Sequence, residues 1–158
     1  MKRKILFINP FLVQGGVEHT LITALRNLDP EKYEITLFLY IEKLDLLPEV
    51  PDNVETIVAE DHRRYYRYPK SLLLLARSRF ARARGKISKA DALETELNEY
   101  IHEQKVNFAV EGPLKGRRFD TVVSYSLHIG SEMALTIPAW RHIVFMHSSK
   151  PEYHREIA

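Results

Sequence analysis

The sequence predicts an α/β fold, a parallel sheet with helices on both faces. Three features carry this prediction: short apolar runs typical of buried strands, amphipathic stretches between them, and polar or glycine residues where the runs end. The first run, residues 4–9, is continuously apolar from Ile5 to Ile8 and ends at Asn9, as expected of a strand that is covered on both faces.

The remaining elements follow in chain order. A helix is predicted over 17–28, where apolar residues recur every three or four positions up to Asp29-Pro30. Further strands are predicted at 33–41, 54–59, 119–125 and 141–147. Further helices are predicted at about 71–84, 91–105 and 128–135. This alternation predicts one Rossmann-like domain over 1–158, with a helical insertion in 61–116 because that stretch is too long for a simple crossover.

The amino-acid composition is typical of a globular domain and excludes several kinds of site. The chain has 158 residues, of which 45% are hydrophobic and 28% charged, as in ordinary globular domains. It has no cysteine, which excludes disulfides and thiolate metal sites and favours a reducing cytoplasm. No run approaches the roughly 18 apolar residues of a membrane span.

The charge is unevenly distributed. The net charge is +2, yet the segment between His62 and Lys89 holds ten of the 23 basic residues and no acidic one. Such asymmetry favours an anionic partner. On a helical projection an apolar strip is bordered by cations on both edges. The strip comprises Leu72, Leu73, Ala76, Phe80 and Ala83, and the cations are Arg77, Arg79, Arg82, Arg84 and Lys86.

Three interpretations of this basic segment stay open. The helix packs on the sheet through its leucines with solvated arginines outside, or the strip contacts a membrane surface or a lipid-linked acceptor while its cations reach the headgroups. As a third alternative, residues 62–89 bind nucleic acid through arginines and aromatic side chains.

Polar residues collect where three predicted strands end. Because ligands of open parallel sheets bind outside the carboxyl ends of the strands, these residues are candidates for contact with a ligand. They are Asn9, Gly15 and Gly16 after the first strand, Ser126 and His128 after the fourth, and His147 and Ser148 at the end of the fifth.

The double glycine in QGGVEHT has two interpretations. Either one glycine adopts positive φ in a tight turn, or the absent side chains let a phosphate approach the N–H groups that begin the helix. Neither the G-x-G-x-x-G fingerprint nor the Walker A pattern is present, which argues against bound NAD and P-loop nucleotides. The histidines show no metal-ligand spacing, so no metal is expected.

The order GGVE after a first strand, FDTVVSY, and then HIVFMH resembles the N-terminal domain of retaining GT-B glycosyltransferases of family 4. The resembling residues are Gly15 to Glu18, Asp120 to Tyr125, and Phe145 to His147, with Phe145 where many members have tryptophan. The resemblance covers both ends of the chain and is weak in the middle.

The resemblance implies the acceptor-side half of a two-domain enzyme. Its C-terminal donor domain would hold most of the nucleotide-sugar, a co-substrate, and no metal cofactor is implied. Gly15, Gly16 and Glu18 would face the donor diphosphate, and His147 would contact the reacting sugar. Asn9, Ser126, His128 and Ser148 would line the acceptor side. A cell-surface or lipid-linked glycan would be the acceptor, at the cytoplasmic face of a membrane.

Two alternatives belong to other classes. The first is a non-enzymatic flavodoxin-like or receiver-like binding domain. A receiver would need an acidic cluster after its first strand, where this chain has Asn9-Pro10, and an aspartate at the end of a later strand, which does not appear. A nucleic-acid-binding module would use the 62–89 segment and would show strongly salt-dependent binding.

Overall fold

The computed structural model describes residues 1–59, 67–125 and 129–145. Within these ranges the chain forms five strands, four helices and a short 3₁₀ turn at Leu47–Glu49. The strands are β1 (Arg3–Asn9), β2 (Tyr33–Leu39), β3 (Val54–Val58), β4 (Phe119–Ser124) and β5 (Ala139–Val144). The helices are α1 (Gly16–Asn27), α2 (Pro69–Ala83), α3 (Ile87–Glu111) and α4 (Ile129–Thr136).

The five described strands form one parallel sheet in the order β3-β2-β1-β4-β5. The predicted α/β class with a parallel sheet is confirmed. The order differs from the 2-1-3-4-5 order of flavodoxin-like and receiver-like domains, so that alternative does not fit the topology.

Strand β5 shows the largest shift from its predicted bounds. It starts two residues early because Ala139 pairs with Phe119 at the start of β4, and it ends at Val144. The sequence pattern does not reveal this start, because Trp140 is apolar and yet 93% exposed, so it does not mark a buried face of the strand.

The core lies in two layers, one on each face of the sheet. Successive side chains of β1 alternate between them, as the period of two in a strand requires. Phe7 packs with Leu21 and Leu25 of α1, whereas Leu6 and Ile8 pack with α4 on the other face. The apolar run of β1 is thus covered on both sides, as the sequence predicted.

Helices α2 and α3 form the predicted insertion as a hairpin with its own apolar cluster. Leu74 and Ala81 of α2 pack against Leu93, Leu97 and Ile101 of α3, and this cluster contains no strand residue. The interpretation that α2 packs on the sheet through its leucines is therefore wrong. Helix α3 extends beyond the predicted 91–105 at both ends, which gives α2 a partner along its length.

Polar contacts align the two helices of this hairpin. The Ser78 hydroxyl donates a hydrogen bond of 2.8 Å to Glu94, and Arg82 pairs with both Asp91 and Glu94 at 3.0 and 2.9 Å.

In the described part of the chain, no helix is long and apolar enough to cross a membrane.

Candidate functional site

The strand order places a topological switch point between β1 and β4. From β1 the chain passes to β2 and β3 on one side, then returns to β4 on the other side of β1. Ligands of open α/β sheets bind at such a point, outside the carboxyl ends of the strands. The backbone N–H of Tyr125 donates to Ile8 O, and that of Phe145 to Ser124 O, each at 2.9 Å. The ends of β1, β4 and β5 therefore lie side by side, at the one edge of the sheet where the sequence predicted them to be.

Asn9 closes the end of β1 and is fully buried. Its side-chain amide Nδ2 donates a hydrogen bond of 2.6 Å to the Phe11 carbonyl, which turns the chain out of the strand. Its Oδ1 is buried and has no hydrogen-bond partner among the described residues. Unpaired buried acceptors are uncommon in folded proteins and costly in free energy. Among the described residues, the Oδ1 of Asn9 is such an acceptor, and it lies at the switch point.

The loop from β1 to α1 is held against the chain that follows β2. Leu12 is buried in the α1-side core. Its N–H donates to Lys43 O at 2.8 Å, and its carbonyl accepts from Leu46 N at 2.9 Å. Ile41 N also donates to Pro10 O at 2.8 Å. These bonds fix the direction from which the chain enters α1.

Gly15 and Gly16 do not form a turn with positive φ. Gly15 is extended, with φ −156° and ψ 157°, a conformation open to any residue. Among the described glycines, positive φ occurs at Gly85 and Gly116. The tight-turn interpretation is therefore wrong.

Gly15 lies in close contact with a side chain of the protein itself. A Cβ atom at this position would overlap Oε2 of Glu18. Glu18 lies in the first turn of α1 and is 7% exposed, and its carboxylate would have to change rotamer to make room for such an atom. A carboxylate in the first turn also interacts favourably with the positive end of the helix dipole. Glu18 therefore has a structural role beside Gly15.

Gly16 faces open space instead. It is the exposed first residue of α1, and a Cβ added there would meet nothing within 4 Å. The N–H groups of the first turn have no acceptor inside the helix, and no side chain caps it at Gly15. The Gly16 side of this helix end is therefore open, while the carboxylate of Glu18 lies at its Gly15 side.

Three aromatic rings line the α1 side of the switch point. The Tyr125 ring lies between Phe7, at 6.5 Å between centroids, and Phe145, at 4.8 Å. Phe145 is 42% exposed, whereas Phe7 and Tyr125 are buried. This contact between the ends of β4 and β5 was not predicted, since nothing in the local sequence states which strands are neighbours.

Several predicted site residues fall outside the described part of the chain. They are Ser126, His128, His147 and Ser148. The other predicted residues, Asn9, Gly15, Gly16 and Glu18, lie at the end of β1 and the start of α1, on the same edge of the sheet as Tyr125 and Phe145. Asp120, part of the FDTVVSY motif, lies at the opposite end of β4, where it accepts a hydrogen bond from Lys4 N at 2.7 Å.

The predicted cationic residues lie on the α2–α3 hairpin, away from the strand ends. Arg77, Arg79, Arg84 and Lys86 are exposed, in accordance with the projected edges of the strip. Arg82 differs, because its ion pairs with Asp91 and Glu94 hold it against α3.

A cavity of about 680 Å³ lies at the amino edge of the sheet, lined in part by Leu114, Phe119 and Ile137. This edge is opposite the switch point, so the cavity is not the expected ligand site of such a sheet.

Among the described residues, no group of three or more His, Cys, Asp or Glu side chains could hold a metal ion. Comparisons of the chain with protein-family models, with curated proteins and with solved structures find no match.

Proposed function

We propose that the chain is the acceptor-side domain of a retaining glycosyltransferase with GT-B architecture. The enzyme moves a sugar from a nucleotide-sugar to a cell-surface or lipid-linked glycan. The observation that carries the proposal is the open N-terminus of α1, with exposed Gly16 at its first position, beside the switch point of the sheet.

The chemistry of this helix end suits a leaving nucleoside diphosphate. When the bond between the sugar and the diphosphate breaks, negative charge grows on the diphosphate oxygens. Fixed N–H donors and the positive end of a helix dipole stabilise that charge without reorganising. A side chain at Gly16 would stand in front of these donors, which accounts for a glycine where the backbone conformation does not demand one.

The remaining assignments rest on the resemblance to glycosyltransferase family 4. His147 hydrogen-bonds the transferred sugar, while Asn9, Ser126, His128 and Ser148 contact the acceptor. A C-terminal domain outside this chain holds most of the donor. The nucleotide-sugar is a co-substrate, the reaction proceeds without a metal cofactor, and the enzyme works at the cytoplasmic face of a membrane.

The proposal is tested by sugar transfer. The native protein is incubated with a panel of uridine, guanosine, adenosine and thymidine diphosphate sugars and with a membrane extract as acceptor. Release of nucleoside diphosphate is measured, and the anomeric configuration of the product is read by NMR. We expect transfer from at least one donor with its anomeric configuration retained. Inverted products, or no release from any donor, would contradict the proposal.

A further inference from the structure

Helix α2 exposes an apolar strip along its outer face. Leu72, Leu73 and Phe80 are 54%, 57% and 59% exposed, and Ile87, just after the turn that follows α2, is 51% exposed. Ala76 and Ala83 lie on the same strip and are exposed as well. Single exposed apolar residues are ordinary on a protein surface, but a continuous row of them indicates an interaction site.

This strip lies opposite the face that packs on α3. The buried residues of α2 are Ser71, Leu74, Ser78 and Ala81. With about 100° of rotation per residue, their directions average about half a turn away from those of Leu72, Ala76 and Phe80. The helix therefore has two apolar faces, and α3 covers one of them.

Cations border the strip on both edges. Arg77 and Arg84 lie on one edge, Arg79 lies on the other, and Lys86 follows in the turn between α2 and α3. All four are exposed, and none forms an ion pair with a carboxylate of the described residues. The guanidinium of Arg84 lies 4.1 Å from the centre of the Phe80 ring, so charge and apolar surface are in direct contact.

We propose that the outer face of α2 docks on an anionic lipid bilayer, with Leu72, Leu73 and Phe80 entering the interface and the four cations contacting the headgroups. Charge complementarity selects this partner, because the segment from His62 to Lys89 contains no acidic residue while the rest of the chain is acidic. A second copy of the same face would bring like charges together. The docking surface is independent of the transferase proposal, since it lies on the hairpin and not at the strand ends.

Co-sedimentation with vesicles tests the proposal on the protein itself. One set of vesicles is phosphatidylcholine, and the other contains roughly one-third phosphatidylglycerol, both at about 0.15 M salt. The charge variant combines Arg77→Gln, Arg79→Gln, Arg84→Gln and Lys86→Gln. The apolar variant combines Leu72→Gln, Leu73→Gln and Phe80→Gln. A matched control removes four exposed cations elsewhere, through Lys2→Gln, Arg3→Gln, Arg118→Gln and Arg141→Gln.

Wild type and the matched control should bind the anionic vesicles, and neither should bind phosphatidylcholine alone. The charge variant should lose about fivefold in partition for each cation removed, and the apolar variant should lose most of its binding. Circular dichroism should show all variants folded, since every changed residue is exposed. Equal losses in the charge variant and the control would overturn the proposal. So would binding to a single-stranded RNA oligonucleotide without binding to vesicles.

Tryptophan emission locates the contact. The chain has one tryptophan, Trp140, which is 93% exposed and lies outside the hairpin. In wild type its emission should not change when anionic vesicles are added. In a Trp140→Phe, Phe80→Trp variant the single tryptophan sits on the strip, and its emission should move to shorter wavelength. A shift in wild type without a shift in this variant would show that another surface binds, and would overturn the assignment to α2. Neither readout depends on sugar transfer, so failure here is distinct from failure of the proposed function.

Discussion

The carboxylate of Glu18 lies where a Cβ atom of residue 15 would be, so any side chain at position 15 would overlap Glu18 in its present rotamer. The contact gives a reason for a glycine at position 15, although the extended backbone there needs no glycine. It also separates the two glycines, since Gly15 accommodates a side chain of the protein while Gly16 faces solvent.

Gly15→Ala should destabilise the protein by about 1 kcal/mol, because the new methyl group forces Glu18 off its preferred rotamer. In a Glu18→Ala background the same change should cost much less, since the overlapping atoms are gone. Chemical denaturation of the four proteins in this double-mutant cycle measures the difference. An equal cost in both backgrounds would show that the contact with Glu18 is not the reason for Gly15.

Gly16→Ala should leave stability unchanged or raise it by about 0.5 kcal/mol, since an alanine reduces the freedom of the unfolded chain and meets no atom in the fold. The same denaturation experiment measures it. A loss of more than about 1 kcal/mol, comparable to a strained substitution, would contradict the open space at this position.

Arg117 and Glu55 form a two-pronged ion pair at 2.6 and 2.7 Å that joins the loop before β4 to β3. The hydrogen bond from Arg117 holds the pKa of Glu55 below its ordinary value. The pair therefore contributes stability above the ordinary glutamate pKa, and this contribution is lost as the pH falls through the lowered pKa of the folded state. Because both side chains are more than a third exposed, that contribution is about 1 kcal/mol or less.

Arg117→Gln should accordingly lower the free energy of unfolding near neutral pH, and its effect should shrink at acidic pH, once the pH has fallen through the lowered pKa of Glu55 in the folded state. Arg118→Gln, at the exposed neighbouring position, serves as the control and should have little effect at either pH. Denaturation curves at the two pH values decide the matter. An effect of Arg117→Gln that is independent of pH would rule out the ion pair as its cause.

The two faces of α2 give a matched pair of leucines. Leu74 is 2% exposed against α3, whereas Leu72 is 54% exposed. Leu74→Ala should cost about 2–4 kcal/mol through lost burial and a cavity, while Leu72→Ala should cost almost nothing. Thermal or chemical unfolding of both variants measures the difference. Similar costs would mean that the outer strip is buried in the folded protein and is not a docking surface.

His147 lies outside the described residues, and its role comes from the resemblance alone. His147→Ala should lower kcat of sugar transfer at least a hundredfold and leave unfolding nearly unchanged. His142→Ala is the control on the same predicted strand; its ring nitrogen contacts Ile137 O at 2.9 Å, so it should affect stability alone. Wild-type turnover of the His147 variant would remove this residue from the site.

The elements of the fold are readable from the sequence because each carries a local pattern. The apolar run of β1 and the stripe of α1 are properties of consecutive residues, and both were predicted within one residue of their bounds. The packing of α2 was not predicted, because the four consecutive leucines from Leu72 to Leu75 are spread around the helix and do not mark one face. Only the distant residues of α3 decide that Leu74 is the buried one.

The candidate site also has features that could be predicted from the sequence and features that could not. That Asn9 and the double glycine lie at the same edge of the sheet as the end of β4 follows from the general rule for parallel sheets, so it could be predicted from the sequence. The reason for Gly15 did not follow, since it depends on the rotamer of Glu18 and not on any preference of the backbone. The unpaired Oδ1 of Asn9 was equally unreadable, because it results from how the surrounding chain closes over that side chain.

The most direct test of the central claim is the Michaelis constant for the nucleotide-sugar after a branched side chain is placed at position 16. Gly16→Val in the native enzyme should raise the donor KM or lower kcat at least tenfold, because the side chain stands between the diphosphate and the first N–H groups of α1. Thr23→Val places the same side chain at an exposed position farther along α1 and should leave both constants at wild-type values. If Gly16→Val is folded and transfers sugar with unchanged kcat and KM, the start of α1 does not face the donor diphosphate.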